Sequence, residues 1–306
     1  VNGLPVSGHN GLSFTLSNGQ TITVAAGQTS GSVSVTAGDD VYTGGQADLS
    51  AKLTGVSGAD KFEQLTLGKE TVTTKVTDEP SGEGDKVSVT IESNGDVTEA
   101  DKPVFTVKVS QVLGSDLTVK LSNGDSVVIL AGKTSATYSP AAQGDDVFKD
   151  GETLTVGLKD AVVDGKSFEN LVLGGDATVT ISDTVSEVVA TLTADKSSVA
   201  EGGQVTYTVT LSTVNGLPVS GHNGLSFTLS NGQTITVAAG QTSGSVSVTA
   251  GDDVYTGGQA DLSAKLTGVS GADKFEQLTL GKETVTTKVT DEPSGEGDKV
   301  SVTIES

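Results

Sequence analysis

The 306-residue chain has no cysteine, methionine, tryptophan or arginine, and its 18 basic residues are all lysine. Each absence excludes a class of function. Without cysteine there is no disulfide framework, no thiolate zinc site and no cysteine nucleophile. With 39 acidic residues against 18 basic ones the formal charge is −21. That argues against nucleic acid as a partner, because nucleic-acid binding begins with a basic face. No run of about 18 apolar residues occurs, so no helical membrane insertion is expected. Aromatic residues make up 4% of the chain and hydrophobic residues 34%, below the usual ~45–50%. The apolar residues that remain are strongly patterned, which argues for thin, half-buried strands over disorder.

What is present in abundance is repetition. Residues 1–93 recur letter for letter as residues 214–306. Such identity fits a uniform tandem array and does not suit an enzyme, in which one copy drifts or specialises. A weaker repeat lies inside this period. KVSVTIESNGDVTEADKPVFTVKVS (86–110) parallels VVATLTADKSSVAEGGQVTYTVTLS (188–212), and GDDVFKDGETLTVGL (144–158) parallels GDDVYTGGQADLSAKL (38–53). Two related modules of about 100 residues therefore alternate. The expected division is a first module at 1–78 lacking its first two strands, a linker at 79–85, a complete module at 86–183 and a linker at 184–187. A second complete module follows at 188–291, then a linker at 292–298 and the first strand of a further module at 299–306. The window is cut off phase, so the natural protein is expected to continue in both directions.

Each full module reads as seven short strands. In the third module they are expected at 188–195, 204–212, 225–230, 234–238, 243–250, 260–269 and 283–291. Val205, Tyr207, Val209 and Leu211 alternate with threonines, the period-2 signature of a half-buried strand. Within Ser17-Asn18-Gly19-Gln20-Thr21 a three-residue hairpin loop with a left-handed glycine is expected, pairing Leu16 with Ile22 and Phe14 with Val24, with a crossing to the other sheet as the alternative; Leu121 would pair with Val127 likewise. The fold class is all-β: tandem immunoglobulin-like β-sandwich domains arranged end to end.

In a seven-stranded trace, alternate loops share one end of the sandwich. The loops after strands one, three and five and the tail of strand seven then meet at the next module. In the third module these carry Glu201, Asp252, Asp253, Asp291 and Glu292. In the second they carry Glu99, Asp101, Asp145, Asp146, Asp150, Glu152, Asp183 and Glu187. In the first, Asp39, Asp40, Asp78 and Glu79 repeat the third. Carboxylates converging without a lysine repel one another. Calcium resolves this by taking six to eight oxygen ligands, whereas magnesium demands tight octahedral geometry. The plainer alternative is a solvated acidic loop that confers solubility. Asp150 and Glu152 correspond to Gly44 and Gln46 and to Gly257 and Gln259, so more ligands are expected after the second module. Glu83 and Asp85 of the linker, and Asp116, Asp164 and Asp273 of following modules, are weaker candidates.

Other motifs fail on spacing. Gly132-Lys133-Thr134 lacks the glycine of a phosphate loop, since Val127 stands there. The run from Asp145 to Glu152 puts Phe148 where an EF-hand needs oxygen. His9 and His222 are one repeat position counted twice and read as ordinary loop residues, and Phe62, Phe168 and Phe275 read as core plugs. No catalytic constellation is present.

The alternating modules, the GDDVF/GDDVY loop and the VTD or ISD module endings resemble the RII-type extender repeats of giant RTX adhesins, the type I-secreted surface proteins of Gram-negative bacteria that include biofilm and ice-binding adhesins. The resemblance covers essentially the whole chain. It implies immunoglobulin-like sandwiches in a string, with calcium at and near the linkers stiffening an extracellular spacer that projects a distal ligand-binding region. The partners it implies are calcium and neighbouring repeats, with no small-molecule substrate. A ligand- or glycan-binding adhesin module is the competing reading. It would need a distinctive aromatic and polar loop.

Overall fold

The computed structural model describes residues 3–44, 46–79, 84–257, 259–293 and 298–305. Among these it holds strands and turns and no helix; none is therefore long and apolar enough to cross a membrane. The chain forms two compact units. One comprises residues 1–92, 106–137 and 156–176, the other residues 93–105, 138–155 and 177–306.

The second unit contains the whole third module. Its four-stranded sheet runs Ser243–Thr249, Gln204–Thr213, Glu187–Ala194, Gln277–Leu280, and the last pair is parallel. A three-stranded sheet joins Ser198–Ala200, Val285–Thr290 and Leu262–Ala264, and another joins Thr234–Val237, Leu225–Leu229 and Leu266–Ser270. One apolar cluster draws on all three, from Val188, Val205 and Tyr207 to Phe227, Ile235 and Val289. This is a β-sandwich with immunoglobulin-like layering. Alternation sets the face: Val205, Tyr207, Val209 and Leu211 are buried, the residues between them less so. Val147 of the second module is fully buried in the same cluster, with Phe148 packed against it. The unit also holds the sheet formed by Glu152–Val156, Ala177–Ser182 and Val97–Thr98.

Among the described residues the first unit contains four sheets. The first module supplies Thr21–Val24, Leu12–Leu16 and Leu53–Ser57, and the pair Leu49–Ala51 with Val72–Thr74. The second module supplies Ser135–Tyr138, Phe105–Val109, Lys86–Ser93 and Asn170–Leu173 as one sheet, and Ser126–Ile129, Leu117–Leu121 and Leu158–Val162 as another.

Several expectations are corrected here. Gly19 is left-handed (φ 82°) in a three-residue loop, but Phe14 pairs with Ile22 and Leu12 with Val24, two residues from the expected register. Val127 likewise pairs with Val119 instead of Leu121. A shift of two leaves every side chain on its own face, so hydrophobic alternation fixes parity and not register. The strand expected at 260–269 is two strands, Leu262–Ala264 and Leu266–Ser270, which join different sheets across Lys265. Short strands at Ser198–Ala200 and Gln277–Leu280 were not expected; both pair in parallel with strands remote in sequence. Residues 299–305 form no strand, although the same letters at 86–92 do. Their partners in the second module, Phe105–Val109 and Asn170–Leu173, both follow that segment in sequence.

The hydroxyl of Tyr207 is buried with no hydrogen-bond partner among the described residues. The equivalent position of the second module is Phe105, also fully buried. An unpaired buried hydroxyl carries its full desolvation cost. Tyr207→Phe is therefore expected to raise the third module's stability by about 1 kcal/mol, read as a higher midpoint in urea. A lowered midpoint would show that the hydroxyl is satisfied.

Candidate metal centre

The densest acidic site lies in the second unit and is built by backbone pairing. Val97–Thr98 runs parallel to Ala177–Ser182, and the Glu99 N–H continues the ladder to the Ser182 carbonyl (3.0 Å). Glu99 thus stands beside Asp183. From the other side the Asp150 N–H donates to Asp183 Oδ1 (3.1 Å). Glycine is required next to it: a Cβ on Gly151 would lie 2.9 Å from the Ile181 carbonyl oxygen. Carboxylate oxygens of Glu99, Asp183 and Glu276 lie within 4.8 Å of one another, as do those of Glu99, Asp146 and Asp150. Glu99 belongs to both sets and is only 3% exposed. Its Oε1 accepts from the Thr184 N–H (3.1 Å), while its Oε2 is buried and receives no N–H or hydroxyl donor among the described residues.

The electrostatics follow. Burial, then the neighbouring Asp146, Glu99, Asp183 and Glu152, hold the Asp150 carboxyl above its ordinary value. Glu276 is pushed up to about 7, by burial first and then by its contact with Glu99, against a lowering hydrogen bond from the Ser186 N–H (2.6 Å). Its Oε1 is also buried without a donor. Carboxylates this close repel each other, and a shared proton or a bound cation relieves that repulsion. The pairs Lys108–Glu92 and Lys120–Asp160 involve none of these groups.

The third module repeats the device. Glu201, 5% exposed, follows Ser198–Ala200, and its N–H reaches the Thr290 carbonyl (2.9 Å). Its carboxylate lies within 4.8 Å of Asp252 and Glu292, and burial, then Asp253, holds it above its ordinary value. Asp253 and Asp291 are engaged by the protein, accepting from the Gln259 amide (2.6 Å) and the Gly257 N–H (2.6 Å). Asp40 and Asp78 of the first module are held the same way by Gln46 and Gly44. The backbone donor at this position is common to all three modules, but where the second module has Glu152 its relatives place Gln46 and Gln259, amides that occupy Asp40 and Asp253.

The remaining candidates divide. Asp145 accepts from the Thr184 hydroxyl (2.7 Å), Asp146 from the Phe148 N–H (2.6 Å), and Glu187 lies 3.5 Å from the Gln277 amide. Asp101 turns back to Thr98 and joins no cluster. Asp39 is held above its ordinary value by Asp85 and then Glu79. Glu169 is pushed up to about 7, first by its contact with Glu79. Glu83 lies outside the described residues. The sequence reasoning missed Glu169 and Glu276, which come from the following module; the signal was the Phe-Glu step recurring at 62, 168 and 275. Asp116 and Asp273 are not in these clusters. His222 is a buried brace: Nδ1 accepts from the Gly224 N–H (3.0 Å), so Nε2 carries the proton and donates to the Gln241 carbonyl (2.8 Å).

Three segments, residues 6–79, 85–184 and 187–292, match the LapA domain. The chain belongs to the LapA domain family. Its matched segments are bacterial adhesin repeats. No curated protein matches the chain. Among solved structures, the tetra-tandem repeat in the extending region of a large adhesion protein matches at 16% identity and a TM-score of 0.26, over 94% of this chain and 68% of that one. The Escherichia coli adhesin FdeC matches at 13% identity and a TM-score of 0.24, over 95% and 99%. A beta-glycosidase from Bacteroides vulgatus matches at 15% identity and a TM-score of 0.23, over 68% of this chain; the chain spans about a quarter of that enzyme's length, 26%.

Proposed function

We propose that these LapA domains are spacer modules of a type I-secreted RTX adhesin at the surface of a Gram-negative bacterium. Calcium bound at the acidic junctions stiffens the array, which carries a distal ligand-binding region away from the cell. The observation that supports this most is Glu99: a nearly fully buried carboxylate with one unpartnered oxygen, facing Asp146, Asp150, Asp183 and Glu276. Hard oxygen donors of this number suit calcium. Glu99, Asp146, Asp150, Asp183 and Glu276 would hold one site, Glu201, Asp252 and Glu292 a second. Bound there, the ion supplies the positive charge that the side chains lack. Extracellular fluids hold millimolar calcium, so sites of roughly 10⁻⁴–10⁻³ M affinity fill outside the cell and not in the cytosol.

Titration calorimetry with calcium, followed by melting and small-angle scattering with calcium and with chelator, tests this reading. Saturable binding, a raised melting temperature and a stiffer, longer particle in calcium are the expected results. Absence of binding, with melting unchanged, would leave the carboxylates as a solvated acidic surface.

A further inference from the structure

The two module types differ at one more place, and it joins them without any metal. In the second unit the loop Gly144–Phe148 sends its last residue onto the third module. The Lys149 N–H donates to the Lys274 carbonyl (2.7 Å) and the Glu276 N–H to the Val147 carbonyl (3.0 Å). This is an antiparallel bridge, with Phe148 stacked on Phe275 at 5.0 Å between centroids. The first unit repeats the pattern with Tyr42 on Phe168 (5.3 Å), the Thr43 N–H to the Ser167 carbonyl and the Glu169 N–H to the Val41 carbonyl (both 3.0 Å).

The seats are not alike. Phe148 lies against Gly221, where a Cβ would come within 2.6 Å of its ring. In the second module the Leu113 carbonyl accepts from the Gly132 N–H as the His222 carbonyl does from Gly240. One residue earlier the second module therefore has Val112 where the third has Gly221. Tyr42, by contrast, has the Lys166 ammonium 5.2 Å over its ring, a cation–π contact. At the position of Lys166 the third module has Asp273, an anion that would repel a ring face.

We infer that the Gly-Asp-Asp-Val-aromatic loop is a docking tongue that selects the type of the following module. A phenylalanine tongue takes a module with a glycine ledge, and a tyrosine tongue takes a module with a lysine over its seat. The partner surface is the Lys-Phe-Glu or Ser-Phe-Glu edge of a module of the other type. The same tongue in the third module, Val254-Tyr255, is exposed and fits an edge like Lys166–Glu169. The bridge itself is made of backbone groups and aromatic rings, so it is expected to persist in EGTA.

The chain contains its own control. Gly8 repeats Gly221 in an identical sequence, and a Cβ there meets nothing within 4 Å. The test is amide hydrogen exchange of the full chain in EGTA, read at Lys149 and Glu169, both in sequence that occurs once. Gly221→Val, which installs the residue of the other type, is expected to speed exchange at Lys149 at least tenfold. Gly8→Val should leave it unchanged, and Lys166→Asp should speed exchange at Glu169 alone. Phe148→Ala, which changes no residue of the third module, should match Gly221→Val. Protection at Lys149 that survives Phe148→Ala, or that Gly8→Val destroys equally, would overturn the inference. Calcium-stiffened junctions without tongue selectivity would show as exchange that responds to calcium and to none of these variants.

Discussion

Phe227→Ala is expected to destabilise the third module by about 3–5 kcal/mol, while the same change at Phe14 costs about 1–2 kcal/mol. The two residues sit in identical sequence, and only their surroundings differ. Phe227 is fully buried, and Phe14 is half-buried. The strand Gln204–Thr213 makes the difference: it pairs with Ser243–Thr249 and closes the core. The matching residues 30–36 are not in a strand, and Leu16, Ile22, Ala51, Leu53 and Val72 line an open apolar groove. Urea unfolding of the two variants measures this directly. Equal losses would mean that the first module closes its core in solution.

In chelator, stability is expected to fall as pH rises from about 4.5 through about 7, and calcium is expected to cancel the part of that fall that Glu276 contributes. Glu276 and Glu169 are pushed up to about 7 from an ordinary 4.5. Between those values the folded chain holds protons that the unfolded chain has released, so raising the pH withdraws stability. Calcium bound beside Glu276 would take the proton's place and favour the ionised form. At about 10 mM calcium and the affinities above, one such site adds roughly 1–3 kcal/mol. Glu99→Gln separates the effects. In chelator it removes a buried like charge and offers Glu276 an amide donor, so melting temperature rises. In calcium it removes a ligand, so the calcium-dependent rise shrinks. Melting curves of both proteins should therefore cross between the two conditions. A variant equally destabilised in both would assign Glu99 a purely structural part.

Much of this was legible in the letters. Threonine–valine alternation marked the strands, and the loop-sharing argument brought Glu99, Asp146, Asp150 and Asp183 to one place and Glu201, Asp252 and Glu292 to another. What failed was information that alternation does not carry. Phe14 opposite Ile22 and Phe14 opposite Val24 bury the same faces, so only the turn decides between them. Glu276 was invisible for another reason. It lies 93 residues beyond Asp183, and its approach depends on how one module's tongue meets the next module's edge. Asp101 shows the converse: it stands two residues from Glu99, yet the turn after Val97–Thr98 folds it back to Thr98.

The parallel strand pairs have a mechanical consequence. Glu187–Ala194, near the start of the third module, runs alongside Gln277–Leu280, near its end, and Lys86–Val89 runs alongside Asn170–Leu173 in the second. Tension applied to the two ends of such a module drags these neighbours past each other lengthwise. All the rungs between them then resist together, where a hairpin pulled from its open end would surrender them one at a time.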